Sequence, residues 1–168
     1  MGMDILRKSI EILTLLAVQV LVLNHIHLGL YALPLLTPLI VVWASYDLSP
    51  VKLTVTAFLV GLIQDMFAGT PGIGASALTF AAFMQRPLLR LLMGKNLTDS
   101  MEPSPDSMGA LKFVFYAVMI FTLHHAVFFF LEDFRMIDVW GTFLSALSSL
   151  QFSCALALLV DYVRRKKL

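Results

Sequence analysis

Few side chains in this 168-residue sequence are equipped for chemistry, and they are scattered. The histidines fall in two pairs, His25 with His27 and His124 with His125. Imidazoles hold zinc only where further ligands converge on the same point. Cys154 is the single cysteine, and no recognised ligand spacing joins it to the histidines, so no metal or cofactor is expected. Glu132 and Asp133 lie in a polar break with Arg135 and Asp138, which reads as an exposed acidic loop and not as an acid–base pair. Ser145, Ser149 and Ser153 have no base near them in sequence, so a serine nucleophile would lack its activating partner. An enzyme is therefore not expected. One cysteine excludes a disulfide scaffold, and a net charge of +1 gives no electrostatic footprint for nucleic acid.

The elements that must carry these residues follow from composition. Apolar residues make up 59% of the chain and charged ones 14%, with a mean hydropathy of +0.86. Soluble domains run at about 45–50% and about 25%. Too few charges remain to cover a water-facing surface, and high hydrophobicity excludes disorder. The reading is an all-α integral membrane protein forming a single polytopic domain over residues 1–168. Six stretches approach the roughly 20 apolar residues of a helical span, at about 5–23, 28–44, 52–67, 72–92, 111–131 and 139–160. A cleaved signal peptide is discounted, because no small-residue cleavage site follows the first stretch and Asn24-His25-Ile26-His27 leads into more apolar sequence. With the N-terminus inside, Arg7, Lys8, Lys52, Arg86, Arg90, Lys95, Lys112, Arg164, Arg165, Lys166 and Lys167 fall on the inner side, and only Arg135 on the outer. That asymmetry is the positive-inside pattern, and it predicts six transmembrane helices with both termini cytoplasmic. Residues 94–110, with Pro103 and Pro105, are expected to be a flexible cytoplasmic loop.

Within this frame, small residues and prolines are placed regularly. Pro34 and Pro38 sit four residues apart in the second stretch. Each removes a backbone donor and clashes one turn back, so a kinked, buried helix is expected, or else a broken one lining a cavity. Ala57, Gly61 and Asp65 share one face of the third stretch. The small residues admit a neighbouring helix closely, and a carboxylate at that depth should face protein. Gly69-Thr70-Pro71-Gly72-Ile73-Gly74 follows, a turn whose backbone amides Asp65 is placed to bind. Gly141, Ser145, Ser149, Ser153 and Ala157 repeat every four residues in the sixth stretch, a ridge that reads as a helix-packing seam. Phe113, Phe115, Tyr116, Phe121 and Phe128–Phe130 enrich the fifth, as core and interfacial packing.

These residues resemble a known family. Gln19-Val20-Leu21-Val22-Leu23-Asn24, the pair Pro34 and Pro38, and Ala57-Phe58-Leu59-Val60-Gly61-Leu62-Ile63-Gln64-Asp65 with Gly69, Thr70, Pro71 and Gly74 look like the rod shape-determining protein MreD family. Arg86-Pro87-Leu88-Leu89-Arg90 extends the likeness, which covers residues 10–93; beyond that only length and hydropathy match. The resemblance implies a non-enzymatic subunit of the bacterial cell-elongation machinery in the inner membrane. Its implied partners are an MreC-like single-span protein and, through the complex, MreB, RodZ, a lipid II polymerase and a transpeptidase, besides membrane lipids. It also implies a fold similar to the six-helix substrate-binding subunits of energy-coupling factor vitamin transporters, and such a subunit is the alternative function. Those subunits often carry an alanine-xxx-alanine motif in helix one, where this chain has Ala17 with Thr14 and Leu21. On the first reading, Asn24, Pro34, Pro38, Ala57, Gly61, Asp65, Gly69, Gly74, Gly141, Ser145, Ser149 and Ser153 are candidates for packing or partner docking. Bulk at Gly61 or Ser149 is then expected to break docking while leaving the chain inserted.

Overall fold

The computed structural model describes residues 2–23, 33–98, 100–133 and 139–166. Its described residues form seven α-helices: α1 (Gly2–Leu21), α2 (Leu39–Val42), α3 (Pro50–Ala68), α4 (Ile73–Met93), α5 (Pro105–Met108), α6 (Ala110–Glu132) and α7 (Val139–Lys166). Helices α3, α6 and α7 are each long and apolar enough to cross a membrane. Their outward surfaces are apolar as well: Val51, Leu59 and Met66 on α3, Phe115 and Phe130 on α6, and Phe143 and Leu159 on α7 are exposed. A bundle that turns such side chains outward suits lipid better than water. The chain is a multi-pass membrane protein.

Local sequence explains the boundaries. The Ser49 hydroxyl caps α3 by accepting from the Lys52 amide at 3.3 Å, and Pro50 follows in the first turn, where a missing N–H costs nothing. Gly69 ends the helix at φ 71°, a left-handed conformation that glycine adopts without strain. Helix α6 has apolar residues all round, yet its buried side chains recur in neighbouring pairs every turn: Tyr116-Ala117, Ile120-Phe121, His124-His125, Phe128-Phe129. That stripe faces α4, α2 and α7. The main core gathers Leu36, Leu39, Val42, Ala57, Leu78, Leu89, Phe113, Tyr116 and Phe121, and a smaller cluster joins Leu35, Ala77, Phe128 and Phe129.

Two expectations are corrected. The second apolar stretch is not a continuous helix over its described part. Leu33–Leu36 have no helical structure, Thr37 and Pro38 make a turn, and only Leu39–Val42 are helical. Pro34 and Pro38 each lack the donor a helix needs, and proline disfavours helical geometry at the residue before it, so the chain unwinds: of the kinked and the broken helix, the broken one is found. Within 94–110, where a flexible loop is expected, the described residues carry local structure. They hold a 3-10 turn at Gly94–Asn96 and the helix α5, and they bury Met101 and Met108. The Tyr46 amide donates to the Met101 carbonyl at 2.9 Å, which ties this connection to the end of α2.

Candidate functional site

An unwound segment inside a membrane bundle must find partners for every backbone group, because lipid offers none. The amides of Leu33–Leu36 find them on side chains of α1 and α7. The Leu33 amide donates to Ser149 Oγ at 2.8 Å and the Leu35 amide to Ser153 Oγ at 2.8 Å. The Leu36 amide donates to Gln19 Oε1 at 2.7 Å, while Gln19 Nε2 donates back to the Pro34 carbonyl at 3.1 Å. Pro34 has no N–H, so all the amides of this segment are satisfied. Gln19, Ser149 and Ser153 are themselves fully buried. The serine ridge of α7 is thus not a bare packing seam. Its hydroxyls substitute for the helix that Pro34 and Pro38 interrupt.

His125 extends this network. Its Nδ1 lies 2.9 Å from the Phe121 carbonyl, which can only accept, so Nδ1 carries the hydrogen. Nε2, 3.2 Å from Ser153 Oγ, then accepts from that hydroxyl, whose oxygen in turn accepts from Leu35. His124, edge-on to His125 and stacked on Phe128, is fully buried, and neither of its ring nitrogens has a hydrogen-bond partner among the described residues. No three of His, Cys, Asp and Glu converge as metal ligands among those residues.

The second polar constellation is the α3–α4 turn. Asp65 is buried, and its carboxylate accepts four hydrogen bonds: from Thr70 Oγ1 at 2.9 Å and from the amides of Gly72, Gly74 and Ala75 at 3.0, 2.8 and 2.9 Å. The last amides belong to the first turn of α4, where an anion also meets the positive end of the helix dipole. Glycine is required on both sides of this clasp. A Cβ on Gly61 would lie 2.5 Å from Ala75 Cα, and one on Gly74 would lie 2.5 Å from Asp65 Oδ1. Ala57, on the same face, is fully buried.

At the opposite, basic end of the bundle, only Arg86 and Arg90 belong to a motif. Trp43 Nε1 donates to Asp161 Oδ1 at 2.9 Å, and Arg165 Nε pairs with Asp161 Oδ2 at 2.8 Å. The Arg164 guanidinium lies over the Trp43 ring at 4.2 Å and pairs with Glu11 at 2.8 Å. Arg86 lies over Tyr46 at 4.6 Å and donates to the Tyr46 carbonyl, Arg90 donates to the Tyr46 hydroxyl, and Gln85 Nε2 donates to the Ala44 carbonyl at 2.7 Å. Together these fasten the end of α2 to α1, α4 and α7. One further step of the four-residue ridge would have found Asp161, which follows Ser149, Ser153 and Ala157 on the buried face.

The structure therefore brings Pro34, Ser149 and Ser153 to one place and Ala57, Gly61, Asp65, Gly69 and Gly74 to another. Pro38 precedes α2 as its cap residue, and Gly141 and Ser145 stand farther along α7, only part-buried. Asn24, His25 and His27 lie outside the described residues. Of the two readings, packing or partner docking, the contacts of Gly61, Asp65, Ser149 and Ser153 are packing within the chain: α4 lies against the first two and the unwound segment bonds the others. Bulk at Gly61 would damage the fold itself, so it cannot serve as a docking test. A search of family models, curated proteins and solved structures finds no match to this chain.

Proposed function

We propose that this chain is a non-enzymatic inner-membrane subunit of the bacterial cell-elongation complex, of the MreD type. It crosses the membrane six times with both termini in the cytoplasm. It holds an MreC-like single-span protein and, through it, MreB, RodZ, the lipid II polymerase and the transpeptidase. The observation that carries this reading is where five of the buried polar side chains end. Gln19, Gln85, Asp65, Ser149 and Ser153 all terminate on backbone atoms of their own chain. Such residues hold an architecture in shape and leave the outer helix faces to meet other molecules. The positions that carry the family resemblance, from Gln19 through Pro34 to Gly61, Asp65 and Gly74, are among those that set this architecture.

Purification of the tagged full chain from its host membrane in a mild detergent, with mass spectrometry of what accompanies it, tests the proposal. A single-span coiled-coil protein together with wall-synthesis enzymes is the expected result. A membrane coupling protein with a pair of ATPases would replace the scaffold reading with vitamin uptake. Recovery of neither set would refute both.

A further inference from the structure

Helices α6 and α7 part in the half of the bundle away from the basic end, leaving an open cleft of about 390 Å³. Its walls are apolar, with Phe129 and Phe130 on one side and Phe143, Ala146, Leu147 and Leu150 on the other. The polar side chains that reach it are mostly engaged: Thr122 donates to the Val118 carbonyl, and both ring nitrogens of His125 are bonded. One end differs. Asp133 borders the cleft there, accepting from Thr142 through Oδ2, and Glu132 stands next to it in the chain. Among the described residues lining the cleft, Asp133 is the charged one.

Volume selects the occupant. A helix about 10 Å across needs roughly 400 Å³ for a single turn, so the cleft cannot enclose a membrane span. It lies within the range of roughly 300–1,000 Å³ typical of small-ligand sites. Both walls belong to helices long and apolar enough to cross a membrane, so the molecule at hand is a lipid, and one hydrocarbon chain suits a narrow apolar slot. Charge selects the headgroup. A carboxylate at the mouth repels a headgroup of net negative charge and forms a charge-assisted hydrogen bond with an ammonium. We propose that the α6–α7 cleft seats one acyl chain of an amine-headed phospholipid, with its ammonium on Asp133. This site stands apart from the scaffold reading and does not depend on it.

The test uses the purified full chain in mild detergent, equilibrated with an equal mixture of phosphatidylethanolamine and phosphatidylglycerol and read by native mass spectrometry. The parent chain is expected to retain one phosphatidylethanolamine in preference to phosphatidylglycerol. Leu147→Trp fills the slot from its exposed edge and should lower the retained fraction roughly tenfold, since the chain loses its packing contacts. Leu159→Trp, on the same helix outside the cleft, should leave retention unchanged and shows that a tryptophan on α7 is tolerated. Asp133→Asn should keep a lipid bound and erase the headgroup preference. Absence of retained lipid, equal retention by the two tryptophan variants, preference for phosphatidylglycerol, or an unaltered preference in Asp133→Asn would each overturn the proposal. So would a loss of dimer mass in Leu147→Trp, which would assign the cleft to a second copy of the chain.

Discussion

Gly61→Ala adds one methyl group and should cost about as much as a core truncation. The new Cβ would stand 2.5 Å from Ala75 Cα, 2.8 Å from Ala75 N and 2.8 Å from the Gly74 carbonyl, all of them backbone atoms. No rotamer change relieves such a clash, so α3 and α4 must separate. Reaching ordinary contact at 3.4 Å requires a shift of about 0.9 Å. The same movement stretches the bonds from Gly74 and Ala75 to Asp65, which stand at 2.8 and 2.9 Å. Overpacking costs about 1–3 kcal/mol. Hydrogen bonds to a charged group are worth about 1.5–3 kcal/mol each, and losing half of two of them adds about 2 kcal/mol. Alanine returns about 1 kcal/mol through helix propensity. The net expectation is a destabilisation of about 3 kcal/mol, a large fraction of a typical folding free energy of about 5–15 kcal/mol. Denaturant titration in mixed micelles, followed by tryptophan fluorescence, measures it. Gly69→Ala is the control: its Cβ would meet nothing within 4 Å, and only its φ of 71° resists substitution, at about 1–2 kcal/mol. If Gly61→Ala falls within 1 kcal/mol of the parent, taken as roughly the error of such comparisons, or if Gly69→Ala is the more damaging, the close-contact argument fails.

Asp65→Asn should destabilise by about 3 kcal/mol, because an amide turns its NH2 group toward donors that the carboxylate accepted; a melt indistinguishable from the parent would show that the clasp is dispensable. Ser153→Ala leaves the Leu35 amide and His125 Nε2 unpaired, at about 1–3 kcal/mol, and should speed hydrogen exchange at Leu35 more than Ser149→Ala does. Equal exchange in the two variants would dissociate Ser153 from Leu35. On the six-span topology, a cysteine replacing Lys95 should react with an impermeant maleimide only from the cytoplasmic side, and one replacing Asp133 only from outside. Labelling of both from the same side would refute it.

The long helices were legible in the sequence because each is an apolar run bounded by polar or glycine-containing breaks. The Asp65 clasp was legible for a related reason: its partners lie within ten residues, on a turn whose glycines announce themselves. The unwound segment was legible only as the broken-helix alternative that Pro34 and Pro38 raise, and its partners were not. Hydropathy reports burial without reporting hydrogen-bond pattern, so Leu33–Leu36 read as more helix. Its partners, Ser149 and Ser153, lie 116 and 118 residues away. The four-residue ridge on α7 was visible, but small size and a hydroxyl suit both a packing seam and a row of acceptors, and spacing alone does not separate them. Asp161 was missed because the ridge reads as a run of small residues, whereas Ser149 and Ser153 bond the segment before α2 and Asp161 bonds Trp43 just after it. Trp43 gave no motif, and Gln19 entered only within the run Gln19–Asn24; each is a single polar group whose partner comes from another element.

The dependence of Leu33–Leu36 on α7 has a consequence for how the protein is made. During synthesis the α3–α4 hairpin can close on local contacts as soon as it emerges. The segment before it cannot, for its amides at Leu33 and Leu35 have no acceptors until the last helix arrives. Exposed to hydrocarbon alone, such groups are costly, so the nascent chain must keep this stretch near water or within the insertion machinery while some hundred residues more are translated. The final helix then completes the middle of the molecule as well as its end. A chain arrested before Val139 should therefore hold Leu33–Leu36 open to a water-soluble probe that the finished protein excludes.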